Sequence, residues 1–379
     1  MTDRFDILVL GAGMAGVSVS AELAGAARRV ALIEVEPQAG RHATARSAAT
    51  FFESYGNATV RALTRASRPF FEQPPDGFCD ASLMRPRNAL FVANHTRVAG
   101  LDAIFAMHDA RSPMRRLDTR ETCLACPILN ADWVAGGVLD TSGHDLDVAT
   151  IHLGFLRRAR RSGVRVVLDA RETQIDRRDD EWHVTTAQGA FSAPVLVNAT
   201  GAWGDAVARS AGVKPVGLQP LRRSCITVPA PADQDIRDWP MVIGVDEDFY
   251  FKPDAGQLLV SPANEDLSEP CDAVAEELDI ALAIDRFERV TTVSVTRLNH
   301  RWAGLRSFVA DRSPVAGFDP VIRGFFWLVG QGGYGIQMSP ALARLASALV
   351  LGHDVPEDIR AQGVEASDVS PARTGLQRG

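Results

Sequence analysis

Positive charge is scarce in this chain, and lysine is nearly absent. Its 379 residues carry 40 Lys and Arg against 47 Asp and Glu, a formal net charge of -7. Lys214 and Lys252 are the only lysines, which reads as codon composition rather than function. An acidic surface is poor at displacing the counterions of a nucleic-acid backbone, so nucleic acid is not expected as a partner. Long apolar runs are missing too. No stretch of 18 uninterrupted apolar residues occurs, so no transmembrane helix is expected. The start, MTDRFDILVLGAG, has no basic segment ahead of its apolar run and passes straight into a glycine-rich turn. It reads as a strand and not as a signal peptide. Five cysteines in so long a chain are too few for a disulfide framework and fit a reduced cytoplasm. Cys123-x-x-Cys126 has no second ligand pair at metal spacing, so no metal site is expected there. Pro127 follows it directly and marks a helix end near a turn. The eight histidines are scattered and form no Ser-His-Asp or metal constellation. The expected location is the cytoplasm, with a peripheral seat at the inner membrane left open.

What is present is a globular composition, 46% apolar and 23% charged, in a chain long enough for two domains. Residues 5–10, FDILVL, are a nearly continuous apolar run, as a strand buried on both faces requires. Gly11-Ala12-Gly13-Met14-Ala15-Gly16 follows and opens a helix over 17–24. A second strand, 30–33, ends on Glu34. Each part has a task in binding a dinucleotide. Gly11 permits the tight turn, Gly13 lets the backbone approach a pyrophosphate, and Gly16 allows helix to pack on strand. Glu34 stands where a carboxylate accepts from a ribose 2′-hydroxyl, which argues against a 2′-phosphate ligand. Strand, turn, helix, strand and acid arrive in order, and a lone glycine motif would not do that.

The fingerprint does not separate NAD from FAD, but the rest of the chain does. An NAD domain would continue to alternate strands and helices, whereas this chain breaks the alternation soon after residue 40 and returns to it late. A helix is expected over 147–161 with Ile151, Phe155 and Leu156 on one face, followed by a strand at 164–168. A hairpin and a buried strand, 194–197, then run into Asn198-Ala-Thr-Gly201. Near the end, the strand 324–329 leads into Gly330-Gln-Gly-Gly-Tyr-Gly-Ile-Gln337 and a helix through Leu345 and Val350. Scattered strand–turn pieces with insertions between them suit a large, extended cofactor, FAD.

Together these pieces resemble the D-amino-acid oxidase-like family of FAD-dependent oxidoreductases, which includes glycine oxidase, sarcosine oxidase and bacterial D-amino-acid dehydrogenases. The resemblance covers essentially the whole chain and is closest to the D-arginine dehydrogenase branch. It is carried by ATARSAA (43–49), YG-x-x-x-VRALT-x-ASR (55–68), PP-x-GFC (74–79), VNATGAW (197–203), LQP-x-RRS (218–224) and FY-x-KPDAG (249–256). SPAN (261–264), WAGLRSFVAD (302–311) and QGGYGIQ (331–337) complete it. It implies an α/β chain: a glutathione-reductase-type Rossmann FAD domain (1–80, 141–213 and 300–379) beside an α+β substrate domain (81–140 and 214–299) built on a large, mostly antiparallel sheet. The implied reaction is hydride transfer from the substrate Cα to flavin N5. It gives an imino acid that water hydrolyses to a 2-oxo acid and ammonia. No cysteine or histidine matches the positions used for covalent attachment in related families, so the FAD is expected to be non-covalent.

Carried over position by position, the resemblance puts Gly11, Gly13, Ala15 and Gly16 at the pyrophosphate. Glu34 and Val35 go at the adenosine ribose, and Thr173 near adenine. His42, Ala43, Thr44, Arg46, Ser47, Ala48 and Ala49 would pass along the pyrophosphate and the flavin edge, with Gly201 also at the cofactor. Gly333, Gly335, Ile336 and Gln337 would line the flavin pyrimidine, where a helix N-terminus stabilises negative charge. Arg223 and Arg306 would hold the substrate carboxylate, for which a planar guanidinium is suited. Tyr250 and Tyr55 would assist them. Arg222 and Arg223 are neighbours on a strand, so only one can face the site. Thr50, Phe52, Ala89, Met241, Ile243, Gly333 and Gln337 would form the substrate pocket, with Phe51 in the core. In the D-arginine-specific relatives an acid stands at the position of Ala89, and other side chains at Thr50 and Phe52. Loss of that acid should disfavour a basic substrate unless Glu53 replaces it. The expected activity is therefore a dehydrogenase or oxidase of neutral or apolar D-amino acids. A secondary-amine (sarcosine-type) oxidase and a non-catalytic nucleotide-binding protein are the alternatives, the last recognisable by a colourless preparation. The electron acceptor (oxygen, quinone or other) and a choice between monomer and weak homodimer stay open.

Overall fold

A computed structural model describes residues 2–26, 28–108 and 113–376. Ile7–Leu10, buried throughout, lies inside a six-stranded sheet with Arg165–Val167 and Val30–Ile33 on one side. Val195–Asn198, Phe325–Val329 and Val315–Phe318 follow on the other. All pairings are parallel except the last. Apolar residues on both faces of each strand are what this placement demands. The helices Met14–Gly25, Val148–Arg161 and Ser339–Val350 cover one face, packing Val17, Phe155 and Leu345 against the strands. The other face meets a four-stranded sheet, where Phe5, Trp182, Phe191 and Trp327 are buried together.

The second large element is a nine-stranded sheet. Met241–Gly244 and Ala89–Ala93 pair in parallel; the other pairings are antiparallel. Period-2 alternation gives it two different faces. Leu90, Ile226, Val242 and Phe251 pack with Phe287 of the helix Glu277–Val290 on one side. Ala89, Cys225, Met241 and Tyr250 turn to the other, beside Phe52. His300–Phe308 pairs with Gln219–Pro229 along its whole length. The stretch 300–308, assigned above to the cofactor unit, therefore belongs to the large sheet. A nine-residue antiparallel ladder holds it there, despite the sequence proximity of the strand to the glycine-rich turn.

A small three-stranded sheet of Thr50–Phe51, His144–Leu146 and Met84–Pro86 joins the two units. Asp145 anchors it, accepting from Arg87 Nε at 2.8 Å and from Lys252 Nζ at 2.7 Å. One of the two lysines is thus a buried ion-pair partner. The Cys123-x-x-Cys126 segment ends the helix Thr119–Ala125, and burial pushes the Cys126 thiol up to about 12. No helix among the described residues is long and apolar enough to cross a membrane.

Candidate active site

The sheet ends and the inner face of the large sheet enclose one cavity of about 1220 Å³. That exceeds the roughly 300–1,000 Å³ usual for small-ligand pockets. At one end lies the first glycine turn. Gly11 has φ +92°, and a Cβ there would stand 2.6 Å from the Ala199 carbonyl oxygen, so only glycine fits between the two strands. Gly13, Ala15, Glu34, Val35 and Gly201 line this end, with His42, Ala43 and Thr44 of a short 3₁₀ turn. Gly16 does not. A Cβ on it would meet the Gly11 carbonyl oxygen at 1.8 Å, so its place is the helix–turn contact.

Glu34 is buried, and burial holds its pKa above the ordinary carboxylate value. Its two oxygens accept from the backbone N–H of Ala12 at 2.6 Å and of Glu36 at 3.0 Å. The acid thus shapes the turn as well as facing the cavity. His42 Nε2 lies 2.9 Å from Glu36 Oε1, while its buried Nδ1 makes no hydrogen bond among the described residues and lies 3.9 Å from Asp272 Oδ1, and the ring rests 4.7 Å from Trp203. A glycine turn with no room for a Cβ, opening a helix N-terminus, suits a phosphate-bearing ligand. Thr173 is the exception in this region. It is exposed, its hydroxyl donates to Thr185 at 3.2 Å, and its neighbours Arg171 and Glu172 reach the cavity instead. Strand alternation at a bulge accounts for the displacement.

Arg46, Ser47, Ala48 and Ala49 carry the wall toward the other end. Arg46 donates to the carbonyls of Ala273 and Ala303 and pairs with Asp272. Ala49 holds φ +60°, and its carbonyl accepts from Leu146 at 2.7 Å. Gly333, Gly335, Ile336 and Gln337 close the opposite wall. Gln337 spends its amide on the Phe52 N–H at 3.2 Å and on Thr64 Oγ1 at 2.9 Å, tying the pocket wall to the C-terminal helix.

At the far end Arg223, Arg306, Tyr55 and Tyr250 converge. Arg306 Nη2 donates to the Tyr55 hydroxyl at 2.8 Å, and the Tyr55 ring packs edge-on against Tyr334 at 4.8 Å. Burial would lower the Arg306 pKa, but Tyr55, Tyr250, Tyr334 and Glu265 together hold it above the ordinary value. The Arg223 guanidinium stands 5.9 Å from the Tyr250 ring. Burial keeps the Tyr250 hydroxyl protonated well beyond its ordinary range. Arg222 turns to the opposite face and pairs with Asp279 and Glu276.

Thr50, Phe52, Met241 and Ile243 line the cavity, together with Phe91 and Met107. Phe51 is fully buried in the core. Ala89 lies behind this wall, packed with Phe52, Met241 and Tyr250 and not on the surface of the cavity. Glu53 is buried and held by Arg68, so it points away from the pocket. Asp246 and Glu247 also line the cavity and are exposed, the first paired with Arg97 at 3.2 Å. Sequence reasoning missed Glu265 and Arg312, which join Arg223 and Arg306 in one ion cluster. They follow the SPAN and WAGLRSFVAD motifs by one residue each, which was the available signal.

The model of the DAO family, FAD dependent oxidoreductases, matches residues 6–349. The glycine oxidase of Bacillus licheniformis is 24% identical over 375 residues, covering 94% of this chain and 95% of that one. The mitochondrial sarcosine dehydrogenase of Mus musculus is 27% identical over 226 residues, 55% of this chain, and the match spans only 24% of that longer protein. In three dimensions, iminodiacetate oxidase from Chelativorans sp. BNC1 superposes with a TM-score of 0.81 at 20% identity, covering 96% of this chain and 98% of that one. With the glycine turn, the long cavity and the match to all but the chain ends in agreement, this chain belongs to the DAO family of FAD-dependent oxidoreductases, and FAD is its cofactor.

Proposed function

We propose that the protein oxidises the amine of a D-amino acid and favours neutral or apolar side chains over D-arginine. FAD, when bound, supplies the two-electron acceptor for the hydride leaving the substrate Cα. The resulting imino acid is hydrolysed to a 2-oxo acid and ammonia, and oxygen, a quinone or another acceptor then takes the electrons. The FAD is held without a covalent bond. Arg223 and Arg306 grip the substrate carboxylate, aided by the Tyr55 and Tyr250 hydroxyls, so that the reaction is accelerated chiefly by orientation.

The observation that carries this reading is the meeting of two half-buried guanidiniums and two phenols in the same cavity as the glycine turn. The preference for apolar side chains rests on Phe52, Phe91, Met107, Met241 and Ile243 along the wall, and on Glu53 being consumed by Arg68. Kinetics with D-leucine, D-methionine, D-phenylalanine and D-arginine test it. D-arginine far ahead of the other three would sink the preference.

A second reading, an oxidase of N-substituted glycines, uses the same carboxylate grip. It is supported by the glycine oxidase, sarcosine dehydrogenase and iminodiacetate oxidase among the similar proteins. Including sarcosine and iminodiacetate in the panel separates the two.

A further inference from the structure

The two arginines that would receive a substrate carboxylate already share one. Glu265 Oε1 accepts from Arg223 Nη2 at 3.1 Å, from Arg306 Nη1 at 3.2 Å and from Arg312 Nη2 at 2.8 Å. Among the described residues Glu265 Oε2 has a single partner, Arg312 Nη2 at 3.0 Å. All four residues line the cavity. The inner pair are well covered, each side chain 13% exposed, whereas Arg312 is 44% exposed and stacks 3.8 Å from the centre of the Phe308 ring.

The backbone beside Glu265 is fixed by its neighbour, while its side chain is held only through its carboxylate. Asn264 accepts from Arg223 Nε through its carbonyl at 2.8 Å and from the Ser224 N–H through its side chain at 2.9 Å. The Glu265 side chain is 32% exposed. Three guanidiniums and one carboxylate leave a net charge of +2, enough to accept another anion. An anion seated between the two guanidiniums would compete with Glu265 Oε1 for Arg223 Nη2 and Arg306 Nη1, while Arg306 Nη2 also serves Tyr55 and Arg223 Nε serves Asn264. Oε2 gives Glu265 somewhere to go, because its bond to Arg312 survives when Oε1 lets go.

We propose that Glu265 is a carboxylate latch: it occupies the Arg223–Arg306 clamp in the free protein, gives way to the substrate carboxylate by retreating onto Arg312, and so sets affinity for monocarboxylate ligands. This rests on the reading that the clamp receives a carboxylate. Glu265 is a positioning and specificity residue, since it acts through the arginines and holds no reacting atom.

The test is calorimetric titration of the FAD-loaded protein with propionate, a monocarboxylate with no amine to oxidise. Glu265→Gln removes the competitor and should tighten propionate about tenfold, the equivalent of one charge-assisted hydrogen bond returned to the ligand. Arg312→Gln removes the retreat, confines Glu265 to the clamp and should weaken propionate. The opposite signs mark a latch, whereas a carboxylate that only props up the arginines would make both changes weaken binding. Propionate should also raise the melting temperature of Glu265→Gln more than that of the wild type, by refilling the clamp. Both variants weakening propionate, or neither changing it, overturns the proposal. If Glu265→Gln does not fold, Glu265→Asp, which keeps the charge but shortens its reach, must tighten propionate alone, and no change there overturns it equally. Should no amine reduce the flavin while propionate still follows the opposite-sign pattern, the oxidation reading falls and the latch stands.

Discussion

Gly333→Ala is the sharpest single change this site offers. Gly333 does not lie in the left-handed backbone region, so alanine costs nothing in φ, and the whole effect comes from one contact. A Cβ there would stand 1.9 Å from Arg306 Nη2, 2.3 Å from Nε and 2.4 Å from Cζ. Ordinary carbon contact begins near 3.4 Å, so the guanidinium must retreat by about 1.5 Å. A free arginine tip would do so cheaply, but this one is pinned by Tyr55 at 2.8 Å and Glu265 at 3.2 Å. Losing one such charge-assisted bond costs about 1.5–3 kcal/mol. A misplacement of about 1 Å in a substrate-orienting group costs on the order of 10²-fold in rate. The expected result is a kcat/KM about 10²-fold below wild type for every amine substrate, with a raised KM, measured under steady state at equal flavin occupancy. Flavin content is read from the visible spectrum, because the same turn lines the cofactor end. Activity within twofold of wild type at full flavin occupancy would refute the idea that Arg306 orients the substrate.

Gly11→Ala combines φ +92° with a 2.6 Å contact to the Ala199 carbonyl oxygen, so the purified protein should lose most of its bound flavin, visible as lost yellow colour. Glu53→Gln strips Arg68 of its buried partner and should lower stability by about 1–3 kcal/mol, below the roughly 3–5 kcal/mol of a fully buried pair because Arg68 keeps Glu72 and some solvent. Urea unfolding checks that value, and the ratio of D-arginine to D-leucine activity should stay unchanged. Burial would raise the Glu265 pKa, but Arg312, Arg306 and Arg223 more than offset it and hold it below the ordinary carboxylate value. A depressed folded pKa stabilises fully above the unfolded value of about 4.3 and loses that contribution as pH falls through the folded value. The stability gap between wild type and Glu265→Gln should therefore be full at neutral pH and shrink in urea melts below about pH 4.

The cofactor half was legible because its constraints are local. A buried strand, a turn needing φ above zero and a helix behind it are written within thirty residues, and Gly11, Gly16 and Val30–Ile33 lie in one continuous unit. Strand alternation also told Arg222 from Arg223, since neighbours on a strand must part. Thr173 shows where such reasoning stops, because a bulge moves its neighbours to the cavity instead. The pairing of the strand 300–308 with the large sheet was not legible, because its partner lies some eighty residues away and antiparallel pairing at that separation leaves no local trace. Glu265 and Arg312 went unnoticed for a related reason: their chemistry exists only once two strands, carrying Arg223 and Arg306, meet the loops that carry Glu265 and Arg312.

Anaerobic mixing of the purified, flavin-loaded protein with a panel of D-amino acids, L-amino acids, sarcosine and iminodiacetate tests the central claim most directly. Neutral D-amino acids should bleach the flavin absorbance fastest, with D-arginine and the L-enantiomers far slower. A flavin that none of these amines bleaches would contradict the account.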